Sequence, residues 1–260
     1  MDILVEPEYE QVLEFCGHDP IERVFLEDVA RRGLGRFWAL EDGHRGLQSL
    51  CHVGANLVPS GERCEVFADA AANSGSRMII GDERSVGELW DAARGRLPTP
   101  REDRPGQPVF AITEPPAPGG TGLRAAELHD LAQLVPVCAV AHTEELGIDP
   151  LARDAEGFRW RTRSQIEDGR SWVWIEDGVI CFKAEASAWT PAAVQVQQVW
   201  VDPDVRRRGY GTRGMRDLCR LLLRTTPIVT LFVRTENEPA IRLYETIGMR
   251  HAGSYRSILF

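Results

Sequence analysis

The stretch Gln198–Thr212, QVWVDPDVRRRGYGT, joins an apolar run to three consecutive arginines and to Gly209 and Gly211. Glycine at both positions lets the backbone turn tightly and approach a ligand without a Cβ in the way. A helix opening at this point presents unpaired N–H groups and the positive end of its dipole. With Arg206, Arg207 and Arg208 beside it, the turn has the composition of a diphosphate cradle. The charge distribution agrees. The chain carries a net charge of -9, yet residues 200–260 hold eleven arginines against six acids. A basic segment in an acidic chain points to a local anionic ligand and away from non-specific binding of nucleic acid.

The cradle needs a strand before it and a helix after it. The spacing predicts a strand over Val194–Val201, a helix from about Gly211 to Arg224, a strand over Ile228–Val233, a helix over Pro239–Ile247 and a last strand ending at Phe260. Upstream, helices are expected over about Ala125–Leu146 and Arg159–Glu167, then strands over Ser171–Ile175 and Val179–Glu185. The Asp177-Gly178 pair between those strands is a hairpin signal. TEPPAPGGTG at Thr113–Gly122 reads as a linker, with a smaller irregular stretch over Pro98–Pro108. The chain therefore divides into 1–115 and 121–260. In the first part, helices are expected near Tyr9–Cys16, Ile21–Arg32, Glu62–Ala72 and Val86–Arg94. Strands are expected near Arg36–Leu40, Leu47–Val53, Met78–Ile80 and Val109–Ile112. Alternating strands and helices indicate a mixed α/β layer fold.

Arg206, Gly209 and Gly211 match the (Gln/Arg)-x-x-Gly-x-(Gly/Ala) signature of the GNAT superfamily of acyl-CoA N-acyltransferases, and NEPAIRLYETIGM at Asn237–Met249 resembles its second signature. The resemblance spans 121–260. It implies an α/β (α+β) GNAT fold: a mixed central sheet with flanking helices. The segments CHVGANLVPSG, QPVFAI, TEELGIDP and CFKAE further resemble a bacterial family in which a poorly characterised domain precedes a GNAT domain. In such tandem proteins the first half can itself be a degenerate GNAT-like unit. The first half here has no Arg-x-x-Gly-x-Gly loop, so it is expected to shape the acceptor pocket or cover the second sheet, not to bind the coenzyme.

By resemblance, the co-substrate is acetyl-CoA. Its diphosphate falls to Arg206, Arg207, Arg208, Gly209, Tyr210, Gly211 and Thr212, and its arm to Asn237 and Ala240 and to the backbone of Val199 and Val201. Tyr244 then protonates the departing thiolate, a task a phenol performs from its protonated form; the plainer reading is a tyrosine packed on a helix face. Asn237 equally suits an N-cap for the following helix. Many GNAT enzymes carry a glutamate early on the signature strand. Gln195, Gln197 and Gln198 stand there instead, which leaves Glu185 as the nearest carboxylate for a general base, or simply a solvated strand-end acid. Arg213, Arg216, Arg220 and Arg224 form one helix stripe, read either as a solvated face or as a contact to tRNA. His142 suits packing more than catalysis.

The six cysteines and six histidines show no metal-ligand spacing, and no metal is expected. Free apolar cysteines suit the reducing cytoplasm. MDILVEPEYEQ lacks the features of a signal peptide, and no apolar run reaches bilayer length. Lys183 is the only lysine among 30 basic residues, as in proteins of high-GC bacteria. The expected function is transfer of an acyl group, most simply acetyl, from acyl-CoA to a small-molecule or peptide amine by direct attack in a ternary complex. Aminoacyl transfer from charged tRNA on the same fold, and a non-catalytic acyl-CoA sensor, are the alternatives. Neither the acceptor nor the oligomeric state can be read from the sequence.

Overall fold

The computed structural model describes residues 2–43 and 46–260; His44, one of the six histidines noted above, lies outside them. The first half runs β1 (Asp2–Val5), α1 (Tyr9–Gly17), α2 (Val24–Arg31), β2 (Arg36–Asp42), β3 (Gly46–Val53), β4 (Leu57–Gly61), α3 (Ala68–Ala72), β5 (Met78–Asp82), α4 (Glu83–Ala93) and β6 (Glu102–Ile112). The second runs β7 (Arg124–Ala125), α5 (Leu131–Leu146), α6 (Pro150–Glu167), β8 (Ser171–Glu176), β9 (Val179–Trp189), β10 (Val194–Val201), α7 (Tyr210–Leu222), β11 (Val229–Phe232), α8 (Glu238–Thr246) and β12 (Arg250–Leu259). Both halves repeat one order of strands and helices. The first half is thus a second copy of the same fold, without the cradle sequence.

All the strands join one mixed sheet in the order β1-β2-β3-β4-β5-β12-β6-β11-β10-β9-β8-β7. The last strand of each half has crossed to the other. β6 pairs antiparallel with β11, and β12 pairs antiparallel with β5. At the centre β6 and β12 pair with each other from Glu102↔Leu259 to Ala111↔Arg250. Neither half closes its own sheet. The Pro/Gly linker divides the sequence into two parts, yet β6, the strand before it, takes both of its partners, β11 and β12, from beyond it. A buried ion pair adds to this join. Both guanidinium arms of Arg170, which precedes β8, donate to the Asp28 carboxylate of α2, at 2.9 and 2.6 Å.

The irregular stretch expected over Pro98–Pro108 is mostly β6. Proline argues against a central strand because it cannot donate to a ladder. Here the register with β12 shifts between Tyr255 and Ser257, opposite Pro105–Gly106, and Gly106 has φ +67°. The bulge absorbs the missing donor. β1 and β4 are too short or too Pro/Gly-rich to show strand periodicity. The single helix expected over Glu62–Ala72 is a 3₁₀ turn at Cys64–Phe67 followed by the short α3. α6 starts at Pro150, earlier than expected, because Asp149 caps it by accepting from Leu151 N–H at 2.9 Å. The hairpin at Asp177-Gly178 forms, with φ +48° and +79°, the values of a type I′ turn.

α7 packs its Met215, Leu218, Cys219 and Leu222 against one face of the second half's sheet, while α5 and α6 cover the other. No described helix is long and apolar enough to cross a membrane.

The exchange of strands makes a direct prediction. Residues 121–260 expressed alone lack β6 and leave the edge of β11 bare. That fragment is expected to lose its cooperative unfolding transition in urea and to aggregate, whereas co-expression with residues 1–120 restores a soluble, copurifying pair. A fragment 121–260 that unfolds cooperatively by itself overturns the exchange.

Candidate active site

β10 and β11 run parallel and are paired only at Val194↔Val229 and Gln195↔Thr230. Beyond Gln195 they separate. β10 keeps β9 on its other side, but the register slips between Gln197 and Trp200, and Gln198 adopts φ +50°. A non-glycine residue in that region is strained and persists only where its surroundings impose it. The bulge turns β10 away from β11 and leaves its edge over Val196–Val201 without a strand partner. Val199 and Val201 lie on that edge, half-buried.

The opening leads into a cavity of about 620 Å³ between the two halves. Its wall takes residues from β10 and β11, from the end of α5, and from β5, β6 and β12. Tyr244 reaches the cavity from α8. It is 6 % exposed, its ring packs on Phe110 at 5.9 Å, and its hydroxyl has no hydrogen-bond partner among the described residues. Burial pushes its phenol well above the ordinary value, with smaller contributions from Cys219 and Glu145. Tyr244 therefore stays protonated at any physiological pH. The arrangement brings Tyr244, Val199 and Asn237 to one cavity.

The Gly turn is built as the sequence reading expected. Gly209 has φ +83°, and the position of its missing Cβ has open space around it. At Gly211 a Cβ would meet Leu243 Cδ1 at 2.8 Å and Val201 at 3.3 Å. One glycine thus serves the turn and the other serves close packing. The first intrahelical bond is Arg213 N–H to Gly209 C=O at 3.0 Å, so the amides of Tyr210, Gly211 and Thr212 have no i−4 acceptor. Tyr210 stacks on Trp174 at 4.6 Å and donates to Glu176 at 2.6 Å. Arg206 is not free for a ligand: it donates to both Glu144 oxygens, at 3.0 and 3.1 Å, and through Nε to the Val201 carbonyl at 3.0 Å. Arg207 and Arg208 are exposed and have no ion pair among the described residues. Asn237 caps α8 by accepting from Ala240 N–H at 3.3 Å, and Ala240 packs against the core beneath.

Glu185 does not face the cavity. Its carboxylate is held in a very short contact with Lys183, which is 0 % exposed, and it accepts from the Cys138 thiol of α5 at 3.3 Å. Glu185 is not among the residues that line the cavity, so it does not meet an acceptor held there. The pairing is visible in the sequence after the fact, because residues two apart on a strand share a face. Burial opposes charge on Lys183, yet Glu185 and Cys138 raise its pKa above the ordinary value, while burial pushes Cys138 up to about 12. His142 sits edge-on to Phe158 at 5.9 Å, a packing role.

The arginine stripe is also reassigned. Arg213 donates to the carbonyls of Gly119 and Gly120, and Arg220 to that of Pro116. Between them Asp217 accepts from the amides of Gly119 and Thr121 and from the Thr121 hydroxyl. This face of α7 holds down the linker. Side chains that the sequence reading did not assign line the cavity: Glu145, Arg104, Gln107 and Trp200. Gln107 is 2 % and Trp200 7 % exposed, and Gln107 Oε1 and Trp200 Nε1 have no partner among the described residues. No group of three or more His, Cys, Asp or Glu among the described residues could hold a metal ion.

Residues 137–249 match the profile of the acetyltransferase (GNAT) family, and residues 35–134 that of a domain of unknown function, DUF4081. The GNAT match thus falls within the C-terminal half, on the residues that carry the cradle and α8. Over 169 residues the chain is 29% identical to a mycothiol acetyltransferase of Nocardioides sp., a match covering 56% of this chain and 55% of that protein. The chain thus spans about half the length of this curated relative. Among solved structures, a GCN5-related N-acetyltransferase from Sphaerobacter thermophilus superposes with TM-score 0.60 at 16% identity, covering 98% of this chain and 94% of that one. A tandem GNAT protein from the clavulanic acid biosynthesis pathway superposes with TM-score 0.58 at 13% identity, over 99% and 98%. At such identities the likeness is one of fold, and it includes a tandem arrangement.

The Lys183–Glu185 pair gives this site a stability test. Lys183→Met strands a buried carboxylate and is expected to cost about 3–5 kcal/mol in urea denaturation. The double variant Lys183→Met/Glu185→Leu recovers most of that loss. Because the folded pKa of Lys183 is raised, its contribution is complete below the ordinary lysine value of about 10.4 and disappears as the pH rises through the folded value. The wild type is therefore expected to lose more stability than the double variant in strongly alkaline buffer.

Proposed function

We propose that the protein transfers an acetyl group from acetyl-CoA to a primary amine held in the cavity between its halves. The observation that carries this reading is the unpaired edge of β10, which opens onto the same cavity as the unpartnered hydroxyl of Tyr244. Backbone N–H and C=O groups taken out of water need partners. The edge at Val199 and Val201 supplies such groups to an amide-bearing arm. The open turn at Gly209, the free amides of Tyr210, Gly211 and Thr212, and the unpaired Arg207 and Arg208 suit a diphosphate at the start of α7. Arg206 braces this loop against Glu144 instead of meeting the phosphates itself.

Acetyl-CoA supplies the acyl group as an activated thioester. A backbone N–H on the bulged edge polarises its carbonyl in the manner of an oxyanion hole. Tyr244 gives its proton to the departing sulfur. The acceptor attacks directly, because no cysteine or serine stands at the cavity with a base to activate it. Aminoacyl transfer from tRNA fits less well, since two of the four stripe arginines are engaged with the linker.

Calorimetry is expected to detect acetyl-CoA binding at micromolar concentrations. Gly209→Glu places a carboxylate in the cradle and strains the φ +83° turn, and is expected to weaken that affinity by about tenfold or more. Wild-type protein that binds no acetyl-CoA at high micromolar concentration overturns the reading.

Tyr244→Phe removes one hydroxyl and keeps the ring packing. Assayed by release of the CoA thiol across a panel of amines, peptides and aminoglycosides, it is expected to lower kcat by about 10²–10⁴-fold with little change in KM for acetyl-CoA. A variant with more than half of the wild-type kcat shows that Tyr244 is structural. Binding without turnover by any member of the panel, in the wild type, identifies a sensor instead.

A further inference from the structure

The transfer proposed above leaves a proton of the acceptor amine to be taken up, and Glu185 does not line the cavity. Three features of the cavity converge on a replacement. Glu145, in the last turn of α5, lines the cavity together with Tyr244, and its charge is among those that raise the Tyr244 phenol. Arg104, on β6, clamps it: Nη1–H donates to Glu145 Oε1 at 3.0 Å and Nη2–H to the Glu145 carbonyl at 2.9 Å. Gln107, three residues further along β6 and 2 % exposed, leaves its Oε1 without a partner at the same cavity. A buried amide oxygen with no donor is costly unless a ligand supplies one. An ammonium ion supplies three.

We propose that Glu145 takes the proton of the acceptor amine, that Gln107 accepts a second N–H from it, and that Arg104, carried across on the exchanged strand β6, positions Glu145. This inference rests on the acetyltransfer reading. The acceptor enters as a primary ammonium ion and Glu145 removes one proton. The freed lone pair forms the C–N bond while the C–S bond breaks with its electrons on sulfur. Sulfur takes the Tyr244 proton, the surplus proton on nitrogen replaces it on Tyr244 through water, and Glu145 releases its own to solvent. The N-terminal half thereby contributes to catalysis without binding the coenzyme.

The surroundings of Glu145 fit a base. Withdrawal from water lifts its carboxyl above the usual range, against the opposing pull of Arg104 and Arg234, and Glu102 adds to the rise. Those groups, on β6 and just after β11, and Tyr244 on α8 are the charges and titrating groups facing it. A raised carboxylate is a stronger proton acceptor. Three other carboxylates line the cavity: Glu22, beside Arg23 at 3.1 Å, Glu144, beside Arg206 at 3.0 Å, and Glu236, beside Arg234 at 3.8 Å; Glu22 serves as the control.

The test uses full-length protein saturated with acetyl-CoA and n-propylamine as the probe. In protein labelled with ¹³C at glutamate Cδ, the resonance lost in Glu145→Gln is expected to titrate above the ordinary glutamate midpoint and to shift when n-propylamine is added. Transfer to n-propylamine, read by CoA thiol release, is expected to fall about 10²–10⁴-fold in Glu145→Gln and less than threefold in Glu22→Gln, with acetyl-CoA affinity by calorimetry unchanged in both. Arg104→Gln removes a cation, so the Glu145 midpoint and the acid limb of kcat/KM both move to higher pH, and Arg104→Lys partly restores them. A Glu145 resonance indifferent to n-propylamine overturns the proposal, as does Glu145→Gln retaining more than half of the rate. If the wild type gives no measurable transfer to this simple amine, the resonance decides alone. Loss of acetyl-CoA binding in the wild type indicts the acetyltransfer reading instead.

Discussion

A backbone amide removed from water must find a partner, and on its β11 side β10 has no strand partner beyond Gln195. Everything distinctive about the site follows from how that shortage is managed. The left-handed Gln198 takes up the slip against β9 and lets β10 diverge from β11. The divergence creates the unpaired edge, opens the cavity beneath it and leads the chain into the turn at Gly209. α7 and α8 then pack close behind, which is why Gly211 has no room for a methyl group beside Leu243. A fully paired β10 would be a better strand and would leave nothing for a ligand to complete.

The first half shows what the same fold becomes when that opening is not kept. Its β4 and β5 are also parallel, and they pair at one level only, Leu57↔Ile79. Yet the Gly61 carbonyl at the end of β4 is taken by Arg84 Nη2–H at 3.2 Å and the Ser85 hydroxyl at 3.1 Å. The chain after Gly61 supplies Glu62 and Glu65 where the second half supplies three arginines. The two halves have diverged in electrostatics and hydrogen bonding while the order of their elements has stayed the same.

How much of this was legible in the sequence depended on distance along the chain. The cradle, the strand before it and the Asn237–Met249 segment are local patterns, and the structure brings Val199, Asn237 and Tyr244 to one cavity. The surroundings of Glu185 were not legible because its partner, Lys183, is buried, and burial is a tertiary fact. The stripe on α7 looked like a charged surface because a helix wheel cannot show that the linker returns to cover it. The first part of β6, before the strand expected at Val109–Ile112, was read as irregular for a related reason: its prolines fit a strand only through a bulge against β12, a partner made at the far end of the chain. Glu145, Arg104 and Gln107 depend on that same pairing, so no local pattern could have assembled them.

The crossing of β6 and β12 also governs how the protein comes into being. Ile112 emerges from the ribosome more than a hundred residues before its partner Val229. At about 5–20 residues per second, β6 therefore waits on the order of 5–25 s for a neighbour. During that interval the nascent first half presents an incomplete sheet edge, the kind of surface that draws aggregation or a chaperone. The reward for the delay is inheritance as a unit. A chain whose halves each finish the other's sheet cannot shed the half that lacks a cradle, because discarding it would remove a strand from the half that has one.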